Sequence, residues 1–267
     1  MRILVTNDDG TNSDGLWALA EALTSVGEVY VVAPDRDRSG ISAAMTLLDV
    51  VRAHPISSPV DGVEAHAVEG TPADCVILAH EGLYSEPFDI IFSGINQGAN
   101  MGADVLLSGT VGAAVHGYLR GVPSVAVSSY YDPEGSIRYE SACIGAAAIA
   151  RELIESPIEA PLLLNVNMPD VGPAEVEGVE VTVPGSRAFL ESVQHEVVGR
   201  REHYWIKHNR SNSQPEVETG TDVWAVRNNR VSISSISPLL TDGIPGTRLE
   251  RLAEVVRRAM ETSGSLA

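Results

Sequence analysis

Two adjacent carboxylates, Asp8 and Asp9, close a short apolar run, Ile3 to Val5, with Asn7 before them and Gly10 after. An acidic pair at a buried strand end offers oxygen ligands or an acid and a base, with solvated loop acids as the plainer alternative. Three more polar, glycine-containing stretches follow apolar runs in the same way: "PDRDRSGIS" (34–42), "SGINQGANMGAD" (93–104) and "SGT" (108–110). They add a hydroxyl, Ser39, and an amide oxygen, Asn96, while no histidine or cysteine occurs in any of the four stretches. Asp8, Asp9, Ser39 and Asn96 therefore form an all-oxygen set, which suits a hard divalent cation such as Mg²⁺ or Mn²⁺ and not structural zinc. Two carboxylates only balance such an ion, so positions remain for water and an anionic substrate, of which a phosphate is the natural candidate. Ser108, Gly109 and Thr110 stand where a helix begins, and helix-start N–H groups and hydroxyls, with Gly40 nearby, are expected to bind the phosphate oxygens.

For these loops to meet, their strands must lie side by side. Apolar runs at 3–5, 28–34, 88–94, 122–129 and 161–169 alternate with helical patterns. Leu16, Leu19, Ala20, Leu23 and Val26 keep helical spacing up to Gly27, and 70–83 opens with Thr71 as N-cap, Pro72 at the first helical position and Asp74 in the first turn. Further helices are expected over 109–121 and 139–154. Continuous apolar strands interleaved with helices predict an α/β fold, a Rossmann-like doubly wound and mainly parallel sheet, whose loops converge at the strand carboxyl ends. This catalytic core is expected to occupy residues 1–170. Beyond Pro169, alternating stretches at 179–184, 203–209 and 231–238 predict hairpins, with Asn228 and Asn229 as a turn. A last helix would carry Leu249, Leu252, Ala253, Val256 and Met260 on one face. Residues 171–267 are thus expected to form a hairpin-containing extension and C-terminal helix, packed on the core and on a neighbouring subunit.

The charge balance narrows the function classes. Thirty-six acidic residues oppose 18 basic ones, a formal charge of −18, and Lys207 is the sole lysine. Tracking duplex nucleic acid needs clustered cations, so that class is excluded. With 44% hydrophobic residues the chain reads as folded with an acidic surface, and a salt-loving host is the favoured explanation over a merely acidic mesophile. At molar salt the screening length falls to about 3 Å, which mutes self-repulsion. Dialysis into low salt is expected to weaken fold and activity together; full retention of both would contradict this. Cys75 and Cys143 sit in apolar helical patterns and are expected to be reduced thiols. No signal peptide is evident and no apolar run approaches the ~20 residues needed to span a bilayer, so a cytoplasmic, membrane-free location is expected.

Asn7-Asp8-Asp9-Gly10-Thr11 nearly matches the D-x-D-G-T loop of haloacid-dehalogenase-like phosphatases, which would make this a covalent enzyme with Asp9 as acid and base. Asn7 occupies the nucleophile position, however, and that family's later lysine is missing, as is the one receiver domains need. A nucleotide- or metal-sensing regulator without turnover is the other alternative. There is no G-x-x-x-x-G-K-[ST] loop, and Gly94, Gly98 and Gly102 are wrongly spaced for a dinucleotide fingerprint.

Five blocks together, "ILVTNDDG" (3–10), "APDRDRSG" (33–40), "GTPADCV" (70–76), "SGINQGANMGADVLLSGTVGAA" (93–114) and "LNVNMP" (164–169), with a looser echo over 221–239, resemble the SurE survival proteins. These are metal-dependent 5′/3′-nucleotidases. The resemblance implies that Asp8, Asp9, Ser39 and Asn96 are the metal ligands, and that the C-terminal hairpin and helix build homodimers or homotetramers by exchange between subunits. The expectation is a phosphomonoesterase acting on nucleoside 5′- and 3′-monophosphates in a halophilic archaeon. Asp8, Asp9 and Asn96 would be catalytic, with Asp8 favoured to orient or deprotonate the attacking water. Three positions depart from the family's bacterial pattern: Leu107, where a tyrosine is frequent, Ile41, where a small residue is usual, and His116, where an acid is common. They bear on nucleotide preference and leave the metal set intact. His116 offers help to a leaving group or a plain helix position, and Arg36 and Arg38 offer phosphate neutralisation or links to Asp35 and Asp37.

Overall fold

Ile3, Leu4 and Val5 are fully shielded from solvent, which a strand achieves only in the middle of a sheet covered on both faces. Accordingly β1 (Arg2–Thr6) pairs in parallel with β2 (Glu28–Pro34) on one side and β5 (Ile90–Gln97) on the other. The computed structural model describes residues 1–130, 137–157, 161–185, 189–199, 201–210, 217–238, 250, 251 and 254. Outward from this centre lie β4 (Glu64–Val68) and β3 (Ala53–Ile56) beyond β2, then β6 (Ser124–Ser129), β7 (Leu163–Met168), β11 (Arg230–Ser235) and β8 (Gly178–Val181) beyond β5. From β4 to β7 all pairings are parallel, and β3 and β11 add antiparallel contacts at either side.

Successive β1 side chains feed opposite faces. Ile3 and Val5 join Leu16, Leu19 and Leu23 of α1 (Asp14–Thr24) and Ala142, Ala146 and Ala150 of α4 (Glu140–Glu155). Leu4 joins Cys75 and Val76 of α2 (Pro72–Leu78) and Ala113 of α3 (Gly109–Tyr118). The two-residue period of a strand and the helical stripe are thus matched on both sides. Thr71 and Asp74 make the expected capping box, Asp74 N–H to Thr71 Oγ1 at 3.1 Å and Thr71 N–H to Asp74 Oδ2 at 2.9 Å. Both cysteines are free thiols, Cys75 buried and Cys143 half-buried. Order reverses at β1, with β2 on one side and β5 on the other; crevices at such switch points are where open α/β sheets bind ligands.

The region past residue 170 differs from the hairpin reading in part. Of the three alternating stretches, 203–209 falls in β10 (Arg201–Arg210), which pairs antiparallel with β9 (Phe189–Val198) as a hairpin. The other two are β8 and β11 of the main sheet, and α5 (Asp222–Arg227) precedes β11. Asn228 and Asn229 end α5, with Asn229 at φ +51°, instead of joining two strands. In β8 the apolar positions are the exposed ones, Val179 and Val181, while Glu180 between them is half-buried. The chain divides into a unit Met1–Ile236 and a unit Ser237–Ala267, in which Glu250, Arg251 and Glu254 are helical. Leu249, Leu252, Ala253, Val256 and Met260 lie outside the described residues.

Candidate active site

At the carboxyl end of β1 the chain turns sharply. Asn7 Nδ2 donates to Gly10 O and Gly10 N–H donates to Asn7 Oδ1, both at 3.1 Å, and Gly10 takes φ +90°. A Cβ on Gly10 would stand 2.7 Å from the Arg36 carbonyl carbon, so glycine here lets the loop after β2 lie against the acidic turn. That loop is then tied down by Arg38 N–H donating to Asp8 O at 2.7 Å. From β5, Gln97 N–H reaches Asp9 Oδ2 at 3.4 Å. From the start of α3, Thr110 Oγ1 donates to Asp8 Oδ1 at 2.5 Å, and a Cβ on Gly109 would lie 2.8 Å from Asp8 Cβ and Oδ2. The turn after β1, the loop after β2 and the two ends of the β5–α3 connection therefore meet around Asp8 and Asp9, and Asp8 is 3% exposed.

Burial raises the Asp8 carboxyl above its ordinary range, against the bonds from the Thr110 hydroxyl and N–H, which lower it. Asp9 is pushed up to about 7, first by burial and then by the neighbouring Asp8 charge, with Asp37 adding to both. No ion pair reaches either carboxylate among the described residues. The arginines alongside turn instead to Asp35, Arg36 Nε and Arg38 Nη2 each 3.8 Å from Asp35 Oδ1. Side-by-side buried carboxylates are unfavourable unless a proton or a cation lies between them.

The donor chemistry fits a hard divalent cation. Asn96 spends its Nδ2 on Gly98 O at 2.7 Å, which leaves the amide oxygen as the remaining ligand atom. Ser39 is held by Asp37 Oδ1, which accepts from Ser39 N–H at 2.7 Å and Oγ at 2.6 Å, and the hydroxyl oxygen keeps lone pairs for a ligand. Among the described residues no group of three or more His, Cys, Asp or Glu side chains is arranged to hold a metal, so the two acids would need Ser39 and Asn96 to complete a set.

Of the residues expected to bind phosphate, Thr110 departs from that reading, because its hydroxyl serves Asp8 and it is fully buried. Ser108 Oγ accepts from Val111 N–H at 3.2 Å as the N-cap of α3, and its hydroxyl hydrogen stays available. Gly40, at φ +74°, has open space around it. His116 Nε2 lies 3.1 Å from Ala43 O and its side chain is buried, which removes it from leaving-group work. Two neighbours were not found by sequence reasoning. Asp37 sets the Ser39 hydroxyl, a short-range turn bond that its spacing does signal. Tyr139, at the start of α4, has its phenol pushed up to about 12 by burial and by the charges of Asp9 and Asp14, a proximity no local pattern encodes.

A doubly wound sheet with an acidic pair at its switch point defines a Rossmann-like α/β protein. The chain belongs to the SurE family, whose model, described as Survival protein SurE, matches residues 3–191. It is 43% identical over 239 residues to the 5′-nucleotidase SurE of Dehalococcoides mccartyi (strain CBDB1), covering 88% of each chain. With the 5′-nucleotidase SurE of Halorhodospira halophila it shares 42% over 243 residues, covering 90% of this chain and 93% of that one. The crystal structure of the SurE protein from Aquifex aeolicus aligns with a TM-score of 0.79 at 34% identity, covering 95% of this chain and 100% of the other. The similar proteins named here are bacterial, and they give the expected archaeal source no support.

Proposed function

We propose that the protein is a divalent-metal-dependent phosphomonoesterase that hydrolyses nucleoside 5′-monophosphates, and 3′-monophosphates, to nucleoside and phosphate. The observation that carries this reading is the Asp8–Asp9 pair, Asp8 buried and Asp9 half-buried, without a cationic partner among the described residues, against the start of α3. The relatives, each a 5′-nucleotidase SurE, point the same way. Asp8, Asp9, Asn96 and Ser39 would hold Mg²⁺ or Mn²⁺. Such an ion, when bound, supplies positive charge to phosphoryl oxygens and acidifies a water.

The chain's own groups do the rest. Thr110 fixes Asp8 through Oδ1, so Asp8 works through Oδ2. The sequence favoured Asp8 to orient the attacking water, but with its Oδ1 taken by Thr110, Asp9, held by one long bond, is the freer carboxylate for that role and for taking the proton. The Gly109 N–H, the Ser108 hydroxyl and the Gly40 turn receive the phosphate oxygens, which favours displacement in line with the departing nucleoside oxygen.

Asn7, buried and bonded both ways to Gly10, leaves the position of a covalent phosphatase's nucleophile filled by an amide. Acid-quenched turnover of a ³²P-labelled nucleotide is therefore expected to release all label as phosphate; label retained on the protein would favour the covalent alternative, and no turnover of any nucleotide a sensing regulator.

We further propose that residues 1–170, which carry the site, are the catalytic part, and that 171–267 serve association into a homodimer or homotetramer. Supporting this, one face of the β9–β10 hairpin presents Val193, Val197, Tyr204 and Ile206, all exposed. A cytoplasmic location completes the reading; no helix among the described residues is long and apolar enough to cross a membrane. The formal charge of −18 suits a saline milieu.

A further inference from the structure

The segment between β2 and β3, residues 35–52, carries Ser39 and Gly40 and contains no helix or strand. Its near end is tied to Asp8 by the Arg38 N–H. Its far side lies on α3. Ser42, at φ +58°, donates its N–H to Leu107 O at 3.1 Å and its hydroxyl to Leu106 O at 2.7 Å, both in the turn that leads into the helix. A Cβ on Gly112 would stand 2.2 Å from Ser42 O and 2.8 Å from Ala43 Cα, so the helix surface is cut away where the loop crosses it. One turn further along the same helix face, His116 Nε2 meets Ala43 O at 3.1 Å. A carbonyl only accepts, so this ring nitrogen carries a proton. His116 is 7% exposed, and its backbone lies on the helix whose first turn anchors Asp8 through Thr110.

We infer that Gly112 and His116 are positioning residues: α3 is the frame that sets the Ser39 loop against Asp8, with the His116 to Ala43 bond as the tie. This rests on the proposed reading of Ser39 and Asp8 as ligands of one ion. Neither residue touches substrate. Each acts through the loop, as partners behind a ligand commonly do, where a substitution lowers metal affinity about 10- to 100-fold.

The test uses the full chain and three variants. His116→Phe keeps a ring but donates nothing, His116→Gln can offer an amide N–H near the place of Nε2, and Gly112→Ala forces the loop off the helix. Three readouts apply: backbone hydrogen exchange over 39–46, Mn²⁺ affinity by electron paramagnetic resonance without substrate, and kcat/KM on both AMP and p-nitrophenyl phosphate. The Phe variant is expected to speed exchange in 39–46 while β1 and β5 stay protected, to weaken Mn²⁺ binding about tenfold, and to lower both substrates by the same factor. The Gln variant is expected to restore most of each.

Unchanged exchange and Mn²⁺ affinity in the Phe variant would overturn the inference. So would a loss confined to AMP, whose leaving group is poor, because that would make His116 a proton donor. If the Phe variant does not fold, Gly112→Ala decides on the same readouts. A wild type that turns over no nucleotide would defeat the proposed function, while exchange and Mn²⁺ binding would still judge the tie.

Discussion

Replacing Asp8 with asparagine lowers phosphate release from AMP by at least about 100-fold, or about 2.7 kcal/mol of barrier, and leaves the fold in place. Asparagine has the size of aspartate, and its Oδ1 still accepts from the Thr110 hydroxyl, so the turn from Asn7 to Gly10 and its contact with α3 persist. What the change removes is one of two negative charges at the mouth, on which a hard cation depends more than on neutral oxygens. Steady-state kinetics with Mn²⁺ in excess, paired with Mn²⁺ affinity, checks this: both fall together. Retention of more than a tenth of the wild-type rate, with unaltered affinity, would remove Asp8 from the site.

Asp9→Asn is expected to act in opposite directions with and without metal. In chelator, the Asp9 carboxyl stands at about 7 in the folded chain against an ordinary value of 3.8. A raised acid binds its proton more tightly in the folded state, so its contribution to stability is fully present below pH 3.8 and is lost as pH rises to about 7. A gap of roughly 3 units would correspond to about 4 kcal/mol; partial solvent access and coupling to Asp8 reduce this to roughly 1–3 kcal/mol. Asparagine does not titrate. The metal-free variant should therefore be more stable than metal-free wild type at about pH 8, with the difference closing near pH 3.5. Urea unfolding at the two pH values measures it. With Mg²⁺ present the order reverses, because only the wild type gains binding energy from the ion. Equal stability in chelator at pH 8 would mean that Asp9 is not strained by burial beside Asp8.

Much of this was legible from local pattern. An acid pair ending a buried run, repeated as polar loops after β2 and β5, marks one end of a parallel sheet, because strand ends and helix starts alternate in a fixed sense; 93–104 and 108–110, read as two loops, are the two ends of the single β5–α3 connection. The partners of those acids were not legible in the same way. That Thr110 would give its hydroxyl to Asp8 depends on how closely Gly109 lets α3 approach, a packing distance and not a spacing. His116 read as a helix residue with a possible chemical role until the 41–46 segment was seen to cross α3 at Gly112.

Beyond residue 170, period-two patterning marked strands but left open which strand pairs with which and which face is covered, since Val179 and Val181 are exposed while Thr182 is buried. β8 and β11 extend the main sheet, while β9 and β10 pair with each other. Asp222 illustrates the same limit. The helix it opens, α5, is not among the expected elements, and Asp222 is fully buried and accepts from the N–H groups of Gly102, Gly185 and Val223 at 2.7, 2.8 and 2.8 Å. It thereby clamps the loop that follows Asn96, in a contact made across 120 residues of sequence.

The central claim is that four oxygen ligands at this mouth hold a divalent ion on which nucleotide hydrolysis depends. The most direct measurement is phosphate release from a panel of nucleoside 5′- and 3′-monophosphates by wild-type protein stripped with chelator, then reloaded stepwise with Mg²⁺ or Mn²⁺. The expected result is loss of turnover on stripping and its return in proportion to the metal bound, saturating at one ion per chain. Full turnover in chelator would contradict the account.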